Sequence, residues 1–184
     1  MEPLYLTAYR HPGTEPFGSI MMLPKEEAFR EAARLAAAHP DTTAFYRFAD
    51  FANYYPLRKA SEEALRKAFL AAGGQPELAH PCSFVLMEND YLHRWFGQGD
   101  SIRIPLDALP PEQVSFTLGD SVSTFSRDGR HQLLTVEGLR RMMEDHGGSL
   151  QDFMTHVENT WHYIEAQVWS LNALQAFRPG EEQP

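Results

Sequence analysis

The chain has 184 residues, 43% of them hydrophobic and 22% charged, a balance that excludes a largely disordered chain and a membrane-embedded one. That length suits one domain, able to remove roughly 70% of its unfolded surface from water and to hold a core without covalent staples. With 16 Lys and Arg against 25 Asp and Glu, the net charge of −9 repels a phosphate backbone, so nucleic acid is not an expected partner.

Arg30, Arg34, Arg58, Lys59, Arg66 and Lys67 are interspersed with glutamates, so no basic cluster offsets that charge. Cys82 is the single cysteine, which rules out an internal disulfide and fits a reducing compartment. Glu2 stands where a secretory signal has its basic region, and apolar runs such as Phe84 to Met87 are far too short to span a bilayer. The expectation is a cytoplasmic protein that does not engage membranes.

Leu4, Leu6 and Ala8 alternate with Tyr5 and Thr7, which predicts a first strand running into a Pro- and Gly-rich loop from Arg10 to Gly18. A short apolar piece, Ser19 to Leu23, precedes Pro24, which opens a helix over Lys25 to Ala38 with Phe29, Ala32, Ala33 and Ala36 inward; Pro40 stops it. Six of the eleven residues from Phe45 to Tyr55 are aromatic, and Phe45, Phe48, Phe51 and Tyr55 recur at three-to-four residue steps, as on one helical face. Leu57, Ala64, Leu65, Ala68, Phe69 and Ala72 then trace a second helix, ending at Gly73-Gly74.

Ser83 to Met87 reads as a buried strand, and Asn89 as the cap of a short helix carrying Leu92, Trp95 and Phe96, ended by Gly97. Ile102 and Ile104, then Val114, Phe116 and Leu118, alternate with polar residues as two further strands joined through 107–113, and Pro105 marks the first of these as an edge. The polar stretch Ser126 to Gln132 reads as an exposed loop. Thr135 caps a helix with Leu139, Met142 and Met143 inward, ended by Gly147-Gly148, and Ser149 caps the next, with Asp152 in the third helical position as an imperfect capping box. From Leu150 to Leu171 two patterns overlap, one long amphipathic helix or a helix to about Thr160 followed by a strand, and the second is preferred.

The expected fold class is α+β, a mainly antiparallel or mixed sheet packed with about five helices, in a single globular domain over residues 1–177 with a flexible tail over 178–184.

No complete catalytic, cofactor or nucleic-acid motif is present, so the functional expectation rests on side-chain chemistry. Arg47, Tyr54 and Arg58, among the clustered rings, are the expected ligand-binding residues: a guanidinium fork with adjacent ring faces suits a small anionic or planar ligand. The plainer alternative makes the phenylalanines core and the tyrosines an edge cover. An acidic surface also allows a protein partner with a basic face. Glu158, His162 and Glu165 would share one face of a continuous helix as metal ligands, but on the preferred strand reading that geometry vanishes and no metal is expected. Cys82, between Pro81 and an apolar strand, reads as a buried unreactive thiol, with a thiolate paired to His80 as the alternative.

Phe116-Thr117-Leu118-Gly119-Asp120-Ser121-Val122 resembles the nucleophile block of the GDSL hydrolases, over about seven residues. That resemblance implies Ser121 as nucleophile, whereas its Asp-x-x-His partner, Asp128 to His131, lies closer in sequence than that family's separated site requires. The alternative is a strand-ending turn in which Asp120 bonds nearby backbone. Leu4 to Tyr9, Phe45 to Asp50 and Tyr163 to Trp169 together resemble a family of small bacterial cytosolic proteins with no known activity. Arg10 or His11 after an early strand and Glu165 on a late one are similar to landmarks of ADP-ribosyltransferase-type folds; the resemblance implies Glu165 as the catalytic carboxylate, stabilising positive charge developing on a ribose. A middle-strand serine motif of that fold is lacking. The leading expectation is a soluble ligand- or partner-binding module, with an enzyme using Glu165, or a serine hydrolase using Ser121, as the alternative; no cofactor is assigned.

Overall fold

A computed structural model describes residues 3–179; the part of the expected tail from 180 to 184 lies outside the described residues. Six strands form one antiparallel sheet: β1 (Tyr5–Tyr9), β2 (Cys82–Leu86), β3 (Ser101–Pro105), β4 (Val114–Leu118), β5 (Leu133–Thr135) and β6 (Ile164–Val168), in the spatial order β3-β1-β2-β6-β4-β5. The described residues also form six α-helices: α1 (Lys25–Ala38), α2 (Phe51–Ala71), α3 (Asp90–Trp95), α4 (Ser121–Asp128), α5 (Val136–His146) and α6 (Leu150–Trp161). The fold is α+β, as the sequence predicts, and β3 with Pro105 lies at an edge, where a missing N–H costs nothing.

The pleat sorts the sheet into two unlike faces. Leu6, Phe84, Ile104, Phe116, Ile164, Ala166 and Val168 point one way and are buried beneath Leu139 of α5 and Phe153 and Val157 of α6. The other face carries Thr7, Val85, Ser115, Thr117, Glu165, Gln167 and Trp169, which are largely polar. Trp169 Nε1 donates to Ser115 Oγ (2.9 Å), Ser115 Oγ to Gln167 Oε1 (2.9 Å), and Gln167 Nε2 to Thr117 Oγ1 (3.0 Å). The polar atoms of this ladder are tolerated in the interior because each finds a partner, and the ladder fixes the register of β4 on β6; Thr7 Oγ1, on the same face, is buried without one. Leu65 and Phe69 of α2 close this face against Trp169.

Several expectations need correcting. The aromatic run is not one helix: Thr43–Asp50 is a 3₁₀ helix, and Asp50, at φ −121° and ψ 49°, separates it from α2. The ring face persists across the break, with Phe45, Phe48, Phe51 and Tyr55 in successive contacts of 5.5–5.6 Å between centroids. In α1 the buried residues are Ala28, Ala32 and Leu35, while Ala33 is exposed, because α1 turns its face to Phe51 of α2. Ser126, Arg127 and Asp128 belong to α4 rather than to a loop, and Leu133–Thr135 pairs with β4 as an extra strand. The helix-then-strand reading of 150–171 is the observed one: α6 stops at His162, whose φ of 69° no helix continues, and β6 begins at Ile164.

Candidate functional site

Glu165 lies near the middle of the polar face. Backbone register sets Thr7, Val85, Glu165, Thr117 and Leu133 side by side on five adjacent strands. Next to it β4 ends in a sharp turn: Gly119 at φ 74° donates its N–H to the Tyr163 carbonyl (2.9 Å), and a side chain there would meet the Trp161 carbonyl at 3.3 Å. Asp120 then caps α4 by accepting from the Ser123 N–H (2.6 Å). The turn delivers Ser121, the first residue of α4, onto Glu165: the Ser121 N–H donates to Oε2 (2.7 Å) and its hydroxyl to Oε1 (3.2 Å).

Burial pushes the Glu165 carboxyl up to about 7, Asp120 adds to the rise through charge repulsion, and the two Ser121 hydrogen bonds oppose it. A carboxyl that titrates near neutrality can both give and take a proton at physiological pH. Tyr163 is raised as well, by burial and by the nearby negative charge of Asp120 and Glu165.

Arg47, Tyr54 and Arg58 converge, with the Arg47 guanidinium 5.2 Å and that of Arg58 6.0 Å from the centre of the Tyr54 ring. Both cations already hold protein partners. Arg47 donates to Tyr46 Oη (2.7 Å) and Ser123 Oγ (2.9 Å), with Asp120 at 3.8 Å. Arg58 donates to Glu62 Oε1 (2.7 Å) and Ser19 Oγ (3.3 Å), and the second Glu62 oxygen meets His80 Nδ1 at 2.6 Å. Burial works against a charge on Glu62, but Arg58 and His80 hold its carboxyl below the usual carboxylate range. Sequence reasoning missed Glu62 and set His80 beside Cys82 instead; the i, i+4 spacing of Arg58 and Glu62 on a predicted helix was the signal available, while the contact of Glu62 with His80, 18 residues away, carried none.

The remaining sequence candidates are placed plainly. Arg10 is engaged by Asp100 (2.8 Å) and the Thr14 carbonyl (2.6 Å), and His11 packs on His39 and Phe45. His131 meets the Ser61 carbonyl (2.9 Å) through Nε2 and stacks on Phe125; the hydroxyl of Ser121 goes to Glu165 instead. Cys82 is 2% exposed, donates its thiol to the Phe17 carbonyl (3.0 Å) and is pushed up by burial to about 12, while His80 is turned to Glu62. Glu158 and His162 lie at the end of α6 and Glu165 on β6, so the three do not share a helical face.

Arg47, Tyr54, Arg58, Ser121 and Glu165 line one cleft of about 1370 Å³, together with rings from α3 and the 3₁₀ helix. It is larger than the ~300–1,000 Å³ usual for a small-molecule site. The chain matches no family model, no curated protein and no solved structure. No helix among the described residues is long and apolar enough to cross a membrane.

Proposed function

We propose that this protein binds a small planar molecule in the cleft and exchanges a proton with it through Glu165. The observation that carries the proposal is the convergence of a desolvated carboxyl, titrating near 7, with the ring and guanidinium groups of Arg47, Tyr54 and Arg58 in a single concavity. Binding comes first: Tyr54 offers a face for a flat ligand, and Arg58, anchored by Glu62, offers its remaining N–H groups to one acceptor or one negative charge. The single buried thiol favours a reducing, cytosolic setting.

Acid–base chemistry suits the site better than the two alternatives. ADP-ribosyl transfer would use Glu165 as a charged stabiliser, whereas burial here favours its neutral form, and Arg10 is committed to Asp100. A serine hydrolase would need the Ser121 hydroxyl open to substrate beside a ready base, whereas Ser121 is 5% exposed, burial favours the neutral form of Glu165, and His131 is turned to the Ser61 carbonyl.

Mass spectrometry of small molecules carried through purification tests the reading. A ring-bearing compound retained by the wild-type protein and lost from Tyr54→Ala would support it. Retention that is indifferent to both Tyr54→Ala and Arg58→Ala would refute it.

A further inference from the structure

We infer that the mouth of the cleft is a second subsite, built for a heteroaromatic base, and that the ligand class is a nucleoside: a base joined to a hydroxylated sugar. The inference rests on the proposed proton-exchange cleft and names what occupies it.

Tyr46 of the 3₁₀ helix and Tyr91 and Trp95 of α3 form a cluster at this mouth, with centroids 5.6 Å apart for Tyr46 and Trp95 and 5.6 Å for Tyr91 and Trp95. Tyr46 is 53% and Tyr91 50% exposed, the two most exposed large hydrophobic residues among those described. Aromatic rings left in water at the entrance of a cavity forfeit burial that a flat guest would restore. The trio comes from two separate segments, and Tyr46 is held in place by the hydrogen bond it accepts from Arg47. Such rings take a base face regardless of its edge pattern.

The walls of the cleft also carry neutral hydrogen-bonding groups, including Ser123, Thr124 and Tyr163. Hydroxyls of this kind match a polyhydroxylated spacer better than an apolar one. The volume of about 1370 Å³ also exceeds what a single ring would fill. Charge then decides against a phosphate. Acidic side chains slightly outnumber arginines along the walls, and Arg10, Arg47, Arg58 and Arg127 are each already paired or hydrogen-bonded within the protein, which leaves Arg94, between Tyr91 and Trp95 on α3, as the one lining arginine without such a partner among the described residues. A dianion carried on the sugar, away from the rings and Arg94, would meet Asp120 and the desolvated Glu165, where the lining arginines are already engaged.

Isothermal titration with adenosine, adenine, ribose and AMP, on wild type and on Trp95→Ala, Tyr46→Ala, Tyr91→Ala and Glu165→Gln, tests the inference. Adenosine should bind, more tightly than adenine, ribose or AMP, and each ring variant should weaken it by roughly tenfold or more without a change in melting temperature. Tyr46 and Tyr91, being exposed, keep the test open if Trp95→Ala fails to fold. Adenosine binding that is unchanged in Tyr46→Ala and Tyr91→Ala, AMP binding tighter than adenosine, or no adenosine binding by wild type would each overturn it. The outcome is separable from that of the proton-exchange reading: loss of adenosine in the ring variants with a Glu165 that titrates as an ordinary carboxyl keeps the subsite and removes the chemistry.

Discussion

Ser121 and Glu165, 44 residues apart in sequence, meet through two hydrogen bonds, from the Ser121 N–H at 2.7 Å and from its hydroxyl at 3.2 Å. The first turn of α4 thus faces a carboxyl that the protein nevertheless keeps partly protonated near pH 7, because desolvation and Asp120 outweigh what Ser121 gives back.

That imbalance has a sign in stability. Glu165 binds its proton more tightly folded than unfolded, so its contribution is fully present below an unfolded value near 4.5 and is lost as pH rises through about 7. Glu165→Gln keeps an acceptor for the Ser121 N–H and carries no charge. It should therefore be more stable than wild type at pH 8, by on the order of 2 kcal/mol, and equal to it at pH 4.5. Chemical denaturation at the two pH values measures this, and a Gln variant less stable at pH 8 would contradict it.

Glu62 should behave in the opposite way. Its carboxyl is held low by Arg58 and His80, so its contribution is present above the unfolded value and is lost as pH falls through the lower folded one. Glu62→Ala leaves Arg58 without its main partner in a largely buried position, and a loss of about 3–5 kcal/mol at pH 7 is expected from urea unfolding. A loss below about 1 kcal/mol would mean that the pair is solvated.

Gln167 bridges Ser115 and Thr117 with none of the three more than 1% exposed. Gln167→Ala should cost about 2–4 kcal/mol, since it orphans buried groups as well as removing bonds. Ser123→Ala, on the exposed face of α4, should cost well under 1 kcal/mol in the same assay.

Cys82 should be inert to a disulfide reagent at pH 8 in the native protein and should react on unfolding, given its burial and a thiol pushed up to about 12. Stoichiometric labelling within minutes under native conditions would contradict that placement.

Legibility followed the strength of local signals. Lys25 to Ala38 could be bounded from Pro24 and Pro40, and Asn89, Thr135 and Ser149 were readable as caps, each accepting a backbone N–H as expected. α4 was not readable, because Ser121-Val122-Ser123-Thr124 offers no apolar stripe; Asp120 and the packing of Val122 hold the helix instead. Asp50 looked like one more residue of a ring-bearing helix, yet its backbone leaves the helical region and divides the run. At the site, Glu165 and Ser121 were each singled out for separate chemistries, and only the turn at Gly119 makes them partners. The Arg58, Glu62 and His80 cluster needs a loop folded back onto α2, which spacing along the chain does not encode.

The most direct test of the central claim is the titration of the Glu165 side-chain carboxyl by carbon NMR, assigned by its disappearance in Glu165→Gln. A midpoint near 7 is expected, moving when a ligand enters the cleft. A midpoint near 4.5, unmoved by any cleft ligand, would contradict a proton-exchanging Glu165.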